Sequence, residues 1–187
     1  MTYEDPGWVE PLRCLGRAML RPWRAEGVLG ASDGLSRLRA VFLAFPLALV
    51  FYFVVAVLLI EDGGPSPQTW ALSTVGIAGI VGIVCTRWTA SRRLVSSSDR
   101  ELADSFRTNF FIGIAFAETP VLLGFALALV QDSLAPLLVG FSFTLVGFWI
   151  LVPTRAHLER RQRELTATGS PLLLGEALSQ AHPPTSP

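Results

Sequence analysis

The sequence predicts an all-α, polytopic membrane protein with four transmembrane helices, and three observations carry that prediction. Just over half of the 187 residues are hydrophobic. The apolar residues gather into four continuous runs, and the charges fall almost wholly between them. The runs are Ala40–Ile60, Thr69–Trp88, Thr108–Val130 and Leu134–Val152. Each is about 19–23 residues, close to the roughly 20 that an α-helix needs to cross about 30 Å of hydrocarbon. Membrane strands would show about ten residues of alternation instead, so helices are expected.

The formal charge is zero, yet its distribution is informative. All fifteen basic residues are arginine and occupy three places. Arg13, Arg17, Arg21, Arg24, Arg37 and Arg39 precede the first run. Arg87, Arg92, Arg93, Arg100 and Arg107 lie around the connection between the second and third, and Arg155, Arg160, Arg161 and Arg163 follow the fourth. The connections Glu61–Gln68 and Gln131–Ser133 contain none. The positive-inside rule therefore places both termini and the central loop in the cytoplasm. Exclusive arginine with abundant alanine and glycine points to a high-GC bacterial genome, hence a bacterial inner (cell) membrane. The first 39 residues lack a signal-peptide core, so the first run is the expected insertion signal. Cys14 and Cys85 fall on the reduced side; neither a disulfide nor a metal site is expected.

The flanks divide in the same way. Residues 1–39 form a cytoplasmic segment in which Trp8, Leu12, Leu15, Met19 and Trp23 recur at spacings of three and four. Arg13, Arg17, Arg21 and Arg24 oppose them. This predicts an amphipathic helix on the inner leaflet, with Pro11 in its first turn and Pro22 ending or kinking it. After the fourth span, residues 153–187 are read as a short charged helix, Arg155–Leu165, and a mobile tail. His157 and His182 have no partners at ligand spacing and are expected to be solvated.

Residues 69–130, the second and third spans, form a helical hairpin around the polar loop. Gly76, Gly79 and Gly82 recur every three residues and would let another helix approach closely. Glu118 is the one acid inside a run. It lies eleven residues beyond Arg107, about 16 Å along a helix, near the bilayer midplane if Arg107 marks the cytoplasmic interface. An acid in hydrocarbon is costly and is a functional-site hypothesis by default. Its neutral, protonated form is the expected resting form. Pro120 frees the carbonyl of Phe116 from a helical hydrogen bond and would offer that oxygen to the acid. The alternative is a Glu118 hydrogen-bonded to Ser73, Thr74, Ser142 or Thr144.

The stretch Phe106-Arg107-Thr108-Asn109-Phe110-Phe111-Ile112, followed by Gly113, Ala115, Ala117 and Glu118, resembles the acid-bearing helix of subunit c of F-type ATP synthases, the proteolipid of the rotating membrane ring. Leu122, Leu123, Gly124 and Phe125 match that family's apolar exit. The resemblance covers the hairpin only. Where the family carries R-Q-P and an acid, this chain has Ser98-Asp99-Arg100-Glu101, matching at Glu101 alone. The likeness implies a homo-oligomer in the lipid bilayer that carries protons on Glu118 past a stator subunit bearing an intramembrane arginine. Within it, Thr119 and Pro120 would support the acid and Arg107 would anchor the inner interface. Sodium members surround the acid with further oxygen ligands, whereas Pro120 and Leu123 replace two of them here, so the proton is the expected ion and no cofactor is required. The chain alone would catalyse no covalent chemistry. The second reading is a diverged proteolipid-like structural or partner-binding membrane protein. A small-molecule transporter, lacking further intramembrane polar groups or an inverted repeat, ranks last. No feature points to nucleic acid.

Overall fold

A computed structural model of the chain describes residues 7–20, 34–60, 68–92, 94, 97–167 and 169–179. Among them every regular element is an α-helix: α1 (Val9–Leu20), α2 (Gly34–Leu59), α3 (Thr69–Ser91), α4 (Asp99–Gln131), α5 (Ala135–Leu151), α6 (Arg155–Ala167) and α7 (Leu174–Ser179). Three are long and apolar enough to cross a membrane: Leu38–Leu59 within α2, α3, and α4. The 17-residue α5 is about 26 Å long, at the lower end of a spanning helix. The protein is a multi-pass membrane protein. The expectations on Pro22, Trp23, His182 and the last eight residues lie outside the described residues.

The distribution of side-chain size supports the membrane reading independently of hydropathy. On α3 the buried stripe is Ala71, Val75, Gly79, Gly82, Thr86 and Thr89, whereas Ile77, Ile80, Val81 and Val84 are exposed. On α5 the buried face holds Gly140, Thr144 and Gly147 together with Leu137, Phe148 and Leu151, while Leu138, Leu145, Val146 and Trp149 are exposed. The glycines and threonines on both buried faces, with large aliphatics turned outward on α3 above all, suit helices in lipid, where association depends on close backbone approach.

The chain divides into two compact units. Unit 2 comprises Pro46–Arg92 and Thr108–Val152. Glycines bring its backbones together. A Cβ on Gly124 would strike the carbonyl oxygen of Pro136; one on Gly140 would strike that of Pro120 and lie 3.0 Å from Val121 Cα. One on Gly147 would lie 2.8 Å from Ala117 Cβ. Helices α4 and α5 are thus packed backbone to backbone. Their connection turns at Asp132, whose φ is 50°, a left-handed conformation that aspartate tolerates better than most residues. Pro136 then starts α5, where its missing N–H has no helical partner to lose.

Unit 1 comprises Met1–Phe45, Arg93–Arg107 and Pro153–Pro187. Three differences from the sequence expectation fall here. Helix α4 begins at Asp99 rather than 108, because Ser98 Oγ accepts the amide N–H of Glu101 at 3.3 Å. Asp99 and Glu101 also place negative charge in the first turn, which favours a helix N-terminus. The tetrapeptide Ser98-Asp99-Arg100-Glu101 has the spacing of a capping box, and the residues aligned with the family's loop motif therefore start a helix. Second, Leu174–Ser179 is helical where a mobile tail was expected. Gln162 of α6 explains it: its Nε2 donates to Leu172 O at 3.0 Å, and its Oε1 accepts from Leu174 N at 2.7 Å. Leu174, Ala177 and Leu178 are buried.

Third, His157 is half-buried rather than solvated. Burial, then the neighbouring charges of Arg161 and Arg160, lowers its pKa below the usual 6.5, opposed by Glu164. The folded state thus prefers the neutral ring. Its stability contribution is complete above the unfolded value of about 6.5 and is lost as pH falls below it. The protection factor of the amides across Arg155–Ala167, the exchange rate divided into the intrinsic rate at each pH, is expected to fall on acidification through that window in the wild type and to lose this dependence in His157→Gln. Protection factors with the same pH profile in both proteins would contradict the assignment.

Arg39 organises the same unit. It is fully buried, its Nε donates to Pro153 O at 3.2 Å, and its Nη1 donates to Gly7 O at 2.9 Å. Its guanidinium stacks over the Trp8 ring, 5.1 Å from the centroid. One side chain thereby ties the start of α1, α2 and the segment between α5 and α6.

Candidate functional site

Glu118 sits on α4 beside Ala117, Pro120 and Val121, which are buried. A helix turns about 100° per residue, so Glu118 falls on the flank of this buried stripe and not within it. It is half-buried accordingly. Phe125, seven residues on and nearly in line with Glu118, stacks with Tyr52 of α2 at a centroid distance of 5.6 Å. The acid therefore lies on the side of α4 where α2 passes.

The face of this stretch that carries Gly113, Ala117 and Pro120 is occupied, while Phe111, Ala115, Thr119 and Leu122 on the other side are exposed. A Cβ on Gly82 would lie 2.8 Å from Phe116 O and 3.3 Å from Pro120 Cγ. The carbonyl released by Pro120 is thus covered by α3, not directed to the acid. Gly79 lies against the Phe143 ring. Gly113 abuts Leu151 and Thr89, and Thr86 Oγ1 donates to Gly113 O at 3.3 Å. Gly76 differs from its two companions: a Cβ there meets nothing within 4 Å.

None of the four hydroxyls considered for Glu118 bonds it. Ser73, Thr74 and Ser142 each donate to the carbonyl four residues before, and so does Thr119, to Ala115 O at 2.9 Å. Thr119 is exposed and its proton is engaged. Thr144 Oγ1 is buried without a hydrogen-bond partner. Among the described residues Glu118 itself has no hydrogen bond or ion pair. Arg107 lies in the other unit and pairs with Asp104 at 3.6 Å. No cluster of metal-ligating side chains occurs among the described residues.

Two tryptophans give the site a depth. Trp70 and Trp88 are both exposed on α3; Gln68 Oε1 accepts the Trp70 indole N–H, and Arg92 stacks over Trp88 at 3.8 Å. They are eighteen residues apart, about 27 Å along the helix. Gly82, level with the Phe116–Pro120 segment, lies three residues from the midpoint of that interval, or about 5 Å.

Sequence reasoning missed the packing roles of Gly113, Gly124, Gly140 and Gly147. The signal was present in Gly140 and Gly147, one face of α5 at a spacing of seven. It also treated Arg39 as one of several interfacial charges. No protein-family model, curated protein or solved structure matches the chain.

The partnerless hydroxyl yields a direct expectation. Thr144→Val keeps the shape and removes a buried polar group, so the variant should be more stable by about 1 kcal/mol. Thermal unfolding in detergent measures it, and a destabilised variant would show that the hydroxyl has a partner such as an ordered water.

Proposed function

We propose that this chain is a self-contained four-span integral membrane protein that presents Glu118 to a partner within the bilayer. It is the diverged, structural or partner-binding form of the proteolipid-like reading. The observation that carries it is the closure of α4 by its own chain: α3 covers Phe116 and Pro120 through Gly82, and α5 covers Pro120, Val121 and Ala117 through Gly140 and Gly147. A ring subunit would offer packing faces of its acid-bearing helix to neighbouring copies. Here the face that carries Ala117, Pro120 and Val121 is filled by the chain's own helices, and only the side with Phe111, Ala115, Thr119 and Leu122 stays open. Helix α5 is counted as the fourth span, and the arginine distribution supports cytoplasmic termini in a bacterial inner membrane.

In this function the neutral carboxyl of Glu118 is a hydrogen-bonding handle at about the middle of the bilayer. A donor or basic group on a partner helix would gain a contact there that lipid cannot replace. The second reading, proton carriage on Glu118, is favoured by one observation: the acid is half-exposed and without an internal partner, the condition for exchanging a proton with a passing group.

Carbodiimide labelling separates the two. Partner docking predicts that Glu118 is shielded in native membranes, reacts after detergent extraction, and gives no product in Glu118→Gln. Slow, pH-dependent labelling in native membranes, together with a homo-oligomeric ring by native mass measurement, would replace docking with carriage.

A further inference from the structure

We propose that α1 is a lipid-docking helix, seated on the anionic membrane surface from which α2 enters, with Arg39 as its tether. The inference rests on the multi-pass membrane reading and is independent of what Glu118 does.

Val9, Leu12 and Gly16 follow one another at spacings of three and four, which puts them on one face of α1. That face is open: Val9 is 60% and Leu12 56% exposed, while Pro11 on the other side is buried. Arg13 is exposed beside the two aliphatic side chains. Two exposed apolar groups with an arginine at their edge, one turn from Val9, suit a headgroup layer, which receives hydrocarbon and cation together. The sequence continues the basic character at Arg17, Arg21 and Arg24.

The tether argues for lipid over a protein partner. Arg39 holds Gly7 O and the Trp8 ring at the very start of α1. It is also the residue immediately before Ala40, where the first apolar run begins. The N-terminal end of α1 is thereby fixed at the level where the chain enters hydrocarbon. A basic amphipathic helix starting there meets headgroups before it meets anything else. Acidic phospholipid is the matching chemistry, since each basic residue near an anionic surface gains electrostatic attraction.

The test uses the full chain with Cys14 and Cys85 replaced by serine and a nitroxide on Leu12→Cys, reconstituted in vesicles of phosphatidylcholine with or without phosphatidylglycerol. Collision with oxygen, concentrated in hydrocarbon, is compared with collision with a neutral nickel chelate confined to water. Docking predicts that oxygen dominates in the phosphatidylglycerol vesicles, and that Arg13→Glu shifts the balance toward the chelate by about fivefold. A nitroxide on Val9→Cys must report the same, which guards against a local effect of the Leu12 label. Dominant chelate access at both positions in anionic vesicles would overturn the proposal and leave the face to a soluble protein partner. Equal protection in both vesicle types would overturn the anionic part of it.

Discussion

Gly140→Ala is expected to disrupt the helical bundle, while Gly76→Ala is expected to leave it intact or strengthen it. Both changes replace a helical glycine by the best helix former, a gain of about 1 kcal/mol in an open position. At Gly76 a Cβ meets nothing within 4 Å, so only the gain remains. At Gly140 the new methyl would strike Pro120 O, lie 2.9 Å from Pro120 C and 3.0 Å from Val121 Cα. These are backbone atoms and no rotamer change removes them. Helices α4 and α5 must separate, and overpacking of this kind costs about 1–3 kcal/mol and occasionally more. Thermal or denaturant unfolding of the two variants in one detergent checks the ordering. A Gly140→Ala protein as stable as Gly76→Ala would mean that the two helices do not cross as described.

Arg39→Met should release α1 at a cost on the order of 3 kcal/mol, because hydrogen bonds from a charged donor contribute about 1.5–3 kcal/mol each. Methionine fills much of the arginine volume, so what is lost is the guanidinium's polar contacts, Nε to Pro153 O and Nη1 to Gly7 O among them. Arg39→Lys should rescue little, since one ammonium cannot reproduce a planar fork that addresses two carbonyls and a ring. Protease nicking within residues 9–20 and the unfolding temperature give two readouts. Wild-type protection in Arg39→Met would remove Arg39 from its role.

The spans were legible because lipid imposes a length and a composition that few other settings produce. Expected and observed limits of the second differ only at Thr69–Ser91 against Thr69–Trp88. The long start of α4 was misplaced because charge was taken as a sign of loop, although Ser98 and Glu101 stood at capping distance. Glu118 was legible as an anomaly of polarity. Its surroundings were not, since the covering of Phe116 O by Gly82 depends on which helices pass, and a glycine spacing does not name its neighbour. Gly76 shows this most plainly: it continues the three-residue spacing of Gly79 and Gly82, yet no side chain or backbone crosses it. Arg39 was concealed by rule-based reading. A statistical preference for arginine at the cytoplasmic face explains its presence there without revealing that it would be fully buried.

The braced tryptophans of α3 act as a ruler. Gln68 holds one and Arg92 the other, about 27 Å apart, and the 17-residue α5, proposed above as the fourth span, has nearly the same length. A helix that is too long for its bilayer can tilt, whereas one that is too short draws on thinned lipid, snorkelling flanks or association with other helices. With α5 as a span, as proposed, the bundle would suit a slightly thin membrane. Its stability should decline as acyl chains are lengthened, and the composition of the surrounding lipid becomes a control on how tightly the bundle holds together.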